Sequence, residues 1–449
     1  MFPTWQRVLK GSFAGICIIF LFLGFQADLA NGAAMERVEA PSWNPVGSGA
    51  RALGMGGAFI AVADDATAAS WNPGGLIQLE RPEISAVGAY FYRVEDNTFG
   101  AQPENNNRNT MSNTSLNYLS AVYPFNAWGH NMVVSLNYQS LYDFTREWNF
   151  KLHQVGGSLD LMDNVSYEAT GDLGAIGLAY CIQISPTISI GATFNIWTDE
   201  LYDNGWEYRT DSYGNGTAGA GLAVNYTFKS VDKFSFNGLN ANLGFLWNAT
   251  GRLTIGGVFK TPFRADVDHE SMTDTYLEID GVPQPGSGPS YSKDQYKIDM
   301  PMSYGLGVAY RFSDEYTMSL DVYRTEWDDF VVYNPDGTRV SAVSGKEIGV
   351  SEISASTQVR MGAEYLFIRD KYVIPLRGGI FADPAPAEGS PDWFFGFTAG
   401  SGIAYGRFIF DMAYQYRFSN NVNEFILESQ QFSQDIQEHT VYASVILHF

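Results

Sequence analysis

Cysteine is nearly absent: Cys17 and Cys181 are the two thiols among 449 residues. Cys17 falls in a leader that export would remove, so a processed chain keeps one thiol and forms no internal disulfide even in oxidising surroundings. Positive charge is scarce too, with 27 basic against 49 acidic residues and a formal net charge of -22. That balance argues against nucleic acid or anionic headgroups as main partners. Five histidines, His130, His153, His269, His439 and His448, are scattered without metal-ligand spacing. No Gly-x-Ser-x-Gly elbow occurs either, so no enzyme, metal or cofactor is expected and no catalytic residue is assigned. Gly47-Ser48-Gly49-Ala50-Arg51-Ala52 fits the loose dinucleotide pattern, but no strand leads into it. The acidic clusters Asp328-Asp329 and Asp274 to Asp280 read as solvated loops. No apolar run beyond the leader is long enough for a spanning helix.

The leader itself is plain. Arg7 and Lys10 precede an apolar run from Phe13 to Phe25, then the small residues Gly32, Ala33 and Ala34, the layout of a secretory signal peptide over residues 1–34. Ile16 before Cys17 excludes a lipoprotein cleavage box. The chain is instead rich in aromatics (15%, with 26 Tyr and 31 Phe) and in Gly (46), and only 17% of it is charged. A bilayer accepts backbone only as helices or closed barrels, so a membrane reading without apolar helices has to be a barrel. A soluble all-β protein is the competitor on composition alone.

Alternation decides between them. Phe408, Phe410, Met412, Tyr414 and Tyr416 share one face while Asp411, Gln415 and Arg417 share the other, an apolar-out, polar-in strand. The same pattern recurs over Tyr316–Tyr323 and Val359–Phe367. Short turns are expected near Asn126–His130, Ser185-Pro186, Asn248–Gly251, Ser313-Asp314, Arg369-Asp370 and Tyr405-Gly406. Long polar excursions run over 94–114, 143–166, 199–237, 264–295, 328–354, 383–392 and 418–437. The two kinds alternate, and with short turns inside and long loops outside they predict about 14 strands over residues 83–449. Ala218 to Asp232 looks strand-like, but the alternation places it in the third loop. The last strand ends on Phe449, in the alternating row Val441, Ala443, Val445 and Leu447, like the C-terminal signal of outer-membrane barrels.

Residues 35–82 differ from the rest: they are rich in Gly and Ala, lack period-2 alternation, and turn sharply at Asn72-Pro73-Gly74-Gly75. Asp64 or Asp65 is placed to cap one helical turn. Ser48–Ala52, Gly57–Ala61, Ala63-Asp64-Asp65-Ala66, Asn72–Leu76 and Arg81-Pro82 resemble, in order and spacing, the hatch of the FadL-type family of outer-membrane long-chain fatty-acid and aromatic-hydrocarbon transporters. Fainter likenesses are Met300-Pro301 ahead of a strand and Asp383-Pro384-Ala385-Pro386 in a loop. The resemblance implies an all-β transmembrane antiparallel barrel of about 14 strands with an N-terminal plug in its lumen, in the bacterial outer membrane. It implies a hydrophobic small-molecule substrate that is bound in the lumen and released when the hatch shifts. Two departures stand out. Gly74 occupies a place where many relatives carry Ala. Relatives open sideways near a kink in the third strand, whereas Asn131 to Tyr142 has neither Gly nor Pro and is expected to run unbroken, which speaks against a lateral route in this chain.

Candidate residues follow. Phe59, Ile60, Val62, Leu76, Ile77 and Leu79 either line a ligand pocket or glue plug to wall; Asn72, Pro73 and Gly74 form the hatch turn. Asp321, Arg360, Glu364, Arg377, Asp411 and Arg417 face the lumen on neighbouring strands and are expected to pair into a polar ladder, in which Arg360, Arg377 or Arg417 has the fork geometry to hold a substrate carboxylate. Outer-membrane lipid is the expected surround, and oligomeric state is left open. Uptake of hydrophobic molecules is the leading expectation. A structural or secretion-associated barrel that binds a protein partner is the alternative, and an open porin is disfavoured by the plug.

Overall fold

Past residue 82, strand follows strand by one device: apolar side chains turn to lipid, small or polar ones turn inward, and backbone groups pair sideways. The computed structural model describes residues 47–156, 159–219 and 221–449; the leader (1–34) and the first part of the expected plug (35–46) lie outside the described residues. Fourteen strands close a ring. They are β1 (Glu83–Phe99), β2 (Asn107–Ala127), β3 (His130–Asp143), β4 (Leu159–Ser185), β5 (Ile188–Trp197), β6 (Leu222–Asn248) and β7 (Leu253–Lys260). β8 (Ser303–Arg311), β9 (Tyr316–Thr325), β10 (Ser356–Ile368), β11 (Tyr372–Ala385), β12 (Asp392–Tyr405), β13 (Phe408–Val422) and β14 (Phe432–His448) complete it. Each pairs antiparallel with the next. β14 returns to β1 from Glu83↔His448 to Phe99↔Phe432, so the ring has no free edge where it closes. All six expected short turns join neighbouring staves, at 128–129, 186–187, 249–252, 312–315, 369–371 and 406–407. The lipid face is as the alternation predicts: Leu306 is 63% and Phe408 58% exposed, while Asp411 and Arg417 are buried.

The long excursions are not loops for most of their length. β4 and β6 each run 27 residues, and their outer halves leave the ring to form a second, projecting sheet. There β4 pairs with the strands Arg146–Gly156 and Gly205–Ala218. β6 pairs with Gly205–Ala218 and Phe263–Ile279, and the latter with Gly288–Met300. Ala218 to Asp232, expected in a loop, is therefore largely the outer half of β6, though it adds no extra stave. The physical reason is that alternation outlasts the membrane: Val224, Tyr226 and Phe228 stay buried while Lys229 and Lys233 face out. Four rings stack across this inner face, Phe144 on Trp206 (4.9 Å), Trp206 on Phe234 (4.8 Å) and Phe234 on His269 (4.4 Å). Trp327, Phe330 and Val332, from the connection after β9, join the same apolar cluster.

The expected continuity of β3 fails. Its ladder with β2 stops at Tyr118↔Gln139, and its ladder with β4 shifts register between Ser140 and Tyr142. The β1–β2 ladder shifts as well, passing from Val87↔Tyr118 to Gly88↔Leu116 and leaving Asn117 without a partner. The break needs no glycine in β3 because register shifts carry it: Leu141 and Asn117 are each one residue too many for the neighbouring strand. Gly171, opposite on β4, takes the positive φ of 111°. Above the break only side chains span the gap. Asn113 Nδ2 donates to Asp143 (2.6 Å) and Thr145 (3.1 Å), and Asn105 Oδ1 accepts the His153 N–H (3.2 Å).

Residues 47–79 pack on the buried face of the ring. They form helix α1 (Ala50–Gly54), helix α2 (Ala68–Trp71) and a 3₁₀ turn at Pro73–Gln78. Asp65 Oδ1 accepts from the backbone N–H (2.8 Å) and hydroxyl (2.5 Å) of Thr67, which leads into α2. Asn72 fixes the next turn with its whole amide: Oδ1 accepts from Gly74 N–H (3.0 Å), and Nδ2 donates to the carbonyls of Ile60 (2.8 Å) and Phe245 (2.8 Å). Glycines in the wall make room for this backbone. A Cβ on Gly191, Gly244 or Gly256 would fall 2.4 Å from Pro73 O, 2.1 Å from Asn72 Oδ1 or 2.5 Å from Ile60 O. Gly74 is under the same constraint, since a Cβ there would lie 2.8 Å from Phe245 Cα; the departure from Ala is a fit to this wall.

Two outcomes are expected. Leu306→Arg, on the lipid face, should destabilise the folded barrel by about 2–4 kcal/mol in lipid, read from denaturant unfolding, while Lys229→Ala on the projecting sheet should change little. Asn72→Ala removes three buried hydrogen bonds and should cost about 2–3 kcal/mol in the same measurement.

Candidate transport path

The interior above residues 47–79 is lined by charge that is almost entirely matched. Two ion-pair networks stand there. In the first, Glu364 and Asp411 hold Arg377 at 2.6 and 2.5 Å, and Glu364 also takes Arg51 of the N-terminal segment at 2.9 Å. Arg51 pairs in turn with Asp64 at 2.5 Å. Burial pushes the Asp65 carboxyl above its ordinary value, against the pull of Arg51 and Thr67. In the second, Arg417 lies between Asp383 (3.2 Å) and Glu438 (2.8 Å), and Glu438 continues to Arg93 (3.1 Å), which pairs with Glu95 (2.7 Å). Arg360 stands 3.7 Å from Asp383 and donates to the Gly56 carbonyl at 3.1 Å.

The expected six-residue ladder is thus divided. Glu364, Arg377 and Asp411 belong to the first network, Arg360 and Arg417 to the second, and Asp321 to neither. Asp321 Oδ2 instead accepts the backbone N–H groups of Phe59 (2.6 Å) and Ile60 (2.8 Å), tying the segment to β9. Arg360, Arg377 and Arg417 each already face a carboxylate of the protein. Sequence reasoning missed Arg93, Glu95, Asp383 and Glu438, although Arg93 and Glu95 alternate with Val94 on β1 and the same periodicity rule finds them. Asp383 sits within β11 and not in a loop. Among the described residues Lys260 contrasts with these arginines: it has no carboxylate within ion-pair distance, and its ammonium stands 5.6 Å from the Tyr323 ring.

The apolar candidates are mostly packing. Phe59, Val62, Leu76 and Leu79 are buried in one cluster with Val133, Ala179 and Ala309 of the wall, and Ile77 packs against it. Ile60 differs, because it lines a small cavity together with Lys260 and Tyr323.

Larger spaces lie to either side of that point. A cavity of ≈ 160 Å³ extends from Ser48 and Leu53 to Arg417 and Tyr442, and reaches Ser115 and Leu141 at the break in the wall. A second, of ≈ 60 Å³, is bounded by Trp197, Phe263, Met300 and Trp327 and also reaches Leu141. On the outside, an open groove of ≈ 650 Å³ between Leu116, Leu119, Tyr138 and Asp172 shares Ser115 with the first cavity. Leu116 and Leu119 are 50% and 45% exposed on the lipid face. Inner cavity and outer groove therefore both border Ser115, close to where the β2–β3 ladder ends.

Comparison with solved structures gives the fold. The CymD monoaromatic hydrocarbon channel aligns with a TM-score of 0.56 at 14% identity over 91% of this chain and 99% of its own. A Pseudomonas aeruginosa FadL homologue aligns at 0.57, with 15% identity over 91% and 100%. The Pseudomonas putida toluene transporter TodX aligns at 0.56, with 14% identity over 91% and 99%. A comparison with curated proteins gives no match. The family model described as outer membrane protein transport protein (OMPP1/FadL/TodX) matches residues 34–390, which locates the chain in the bacterial outer membrane among transport channels for hydrophobic compounds. Matched over well more than half its length, the chain belongs to the OMPP1/FadL/TodX family.

Proposed function

We propose that the protein takes up hydrophobic small molecules, that residues 1–34 are a signal peptide removed on export, and that residues 35–82 are a plug that shuts the lumen of the 83–449 barrel. Cargo enters past the projecting sheet, rests in the cavities beside Leu141, and leaves sideways between β2 and β3. The observation that carries this reading is that inner cavity and outer groove are lined from opposite sides by the same residue, Ser115, with Leu116 and Leu119 turned to lipid beside it. A side exit suits the physics. Each methylene moved from an apolar site into water costs ~0.8 kcal/mol, so a route that ends in hydrocarbon avoids a cost that a watery pore imposes in full. Phe59, Val62, Leu76, Ile77 and Leu79 are assigned to hold the plug to the wall, with Asn72, Pro73 and Gly74 as its anchored turn, and Ile60 is the member of the set assigned to touch cargo.

The test is uptake of labelled toluene and of a labelled long-chain fatty acid by cells that carry the chain and lack any other such transporter. Entry above the empty-vector rate is expected for at least one of the two. Leu141→Trp, which crowds the break, should cut it roughly tenfold if the obstruction adds about 1.4 kcal/mol to the barrier, with folding checked by heat-dependent gel mobility. Entry no faster than in empty-vector cells, together with copurification of a fixed protein partner, would favour a structural barrel instead.

A further inference from the structure

Two carboxylates flank the break in the wall. Asp143 and Asp172 are direct cross-strand partners, the last pair of the β3–β4 ladder. Asp143 lines the inner cavity and Asp172 the outer groove. Like charges placed opposite one another on a ladder are destabilising, so the arrangement is not one that stability favours. Their partners are neutral: the Asn113 amide (2.6 Å) and the Thr145 N–H (2.8 Å) on Asp143, the Ser140 hydroxyl (3.1 Å) and the Tyr138 hydroxyl (3.4 Å) on Asp172. Among the described residues neither has a basic side chain within 4.0 Å. The arginines of the interior contrast with them, each with a carboxylate at hand.

We propose that Asp143 and Asp172 make the side opening a barrier to anions, so that the cargo leaving through it is an uncharged hydrophobe, of single-ring size in the ≈ 160 Å³ cavity. The proposal rests on the side-exit reading above. With no basic side chain beside either carboxylate among the described residues, the negative charge of the pair is not cancelled locally. In the low-dielectric wall that charge acts on a passing anion with little screening. Lys260 works in the same direction from the other side, since an acid group that enters the second cavity meets a cation that has no carboxylate within ion-pair distance among the described residues. An anionic hydrophobe is thus attracted inward and turned back at the exit, whereas a neutral one feels neither.

The experiment compares two single-ring probes, p-cresol and the permanently anionic p-toluenesulfonate, as labelled compounds entering porin-deficient cells that carry the full chain, with the empty-vector rate subtracted. Chain-dependent entry of the cresol should exceed that of the sulfonate by roughly tenfold or more. The isosteric double variant Asp143→Asn/Asp172→Asn should raise sulfonate entry severalfold and leave cresol within about twofold. Asp172→Glu should keep the exclusion, and Asp266→Asn, on the projecting sheet, should change neither rate. Equal entry of both probes into wild-type cells, or a sulfonate rate unmoved by the double variant, overturns the charge barrier while leaving transport standing. No chain-dependent entry of either probe overturns the side exit itself.

Discussion

A backbone amide in hydrocarbon has no water to turn to, and leaving one unpaired costs several kcal/mol. Closure of the ring at β1 and β14 answers that constraint, and the rest of the molecule is arranged around the answer. It explains why fourteen staves share one alternation, why the turns on one side are short, and why the gap above the end of the β2–β3 ladder is bridged by amide side chains. Asn105, Asn109 and Asn113 stand where backbone partners are missing, each offering both donors and acceptors. At those asparagines the wall is held by side chains, which can exchange partners without unzipping a ladder.

Most of the ring was legible in the sequence because lipid on one side and a filled interior on the other impose strict period-2 patterning. The six short turns could be placed to within a residue or two, and the lipid faces of β9, β10 and β13 could be named residue by residue. What failed to show was where the membrane ends. Alternation along β4 and β6 continues into the projecting sheet, with water in place of lipid outside and the Trp327 connection in place of the lumen inside, so the polar residues there read as loop. The break at Leu141 escaped for a related reason. A bulge is a relation between two strands, and neither Asn117 nor Leu141 carries a mark of it alone.

The interior was legible in kind but not in pairing. Periodicity shows that Arg360, Arg377 and Arg417 face inward, yet which carboxylate meets which arginine depends on the register between staves and on where residues 47–79 lie. Asp321 illustrates the point: the arginines facing inward on neighbouring strands suggested a ladder partner, and it serves instead two backbone N–H groups of Phe59 and Ile60. Asp383 was placed in the polar excursion 383–392, although a strand at the rim of a barrel tolerates Pro384 and carries the pairing through Ala385. Once three arginines are spoken for, the residues left to distinguish one cargo from another are few, chiefly Lys260 and the acids beside the break.

The glycines of the inner wall carry a consequence beyond local fit. Gly191, Gly244 and Gly256 are defined by what they lack, and the vacated space belongs to atoms of Pro73, Asn72 and Ile60, far earlier in the chain. A methyl group gained at any of them is an injury to the turn at Asn72, and a bulkier turn is an injury to them. Neither party is free to drift alone. In a lineage diverging as far as this fold has, wall and N-terminal segment are bound to vary as a single unit of inheritance, so that segments exchanged between distant relatives should fit poorly even where every motif within them matches.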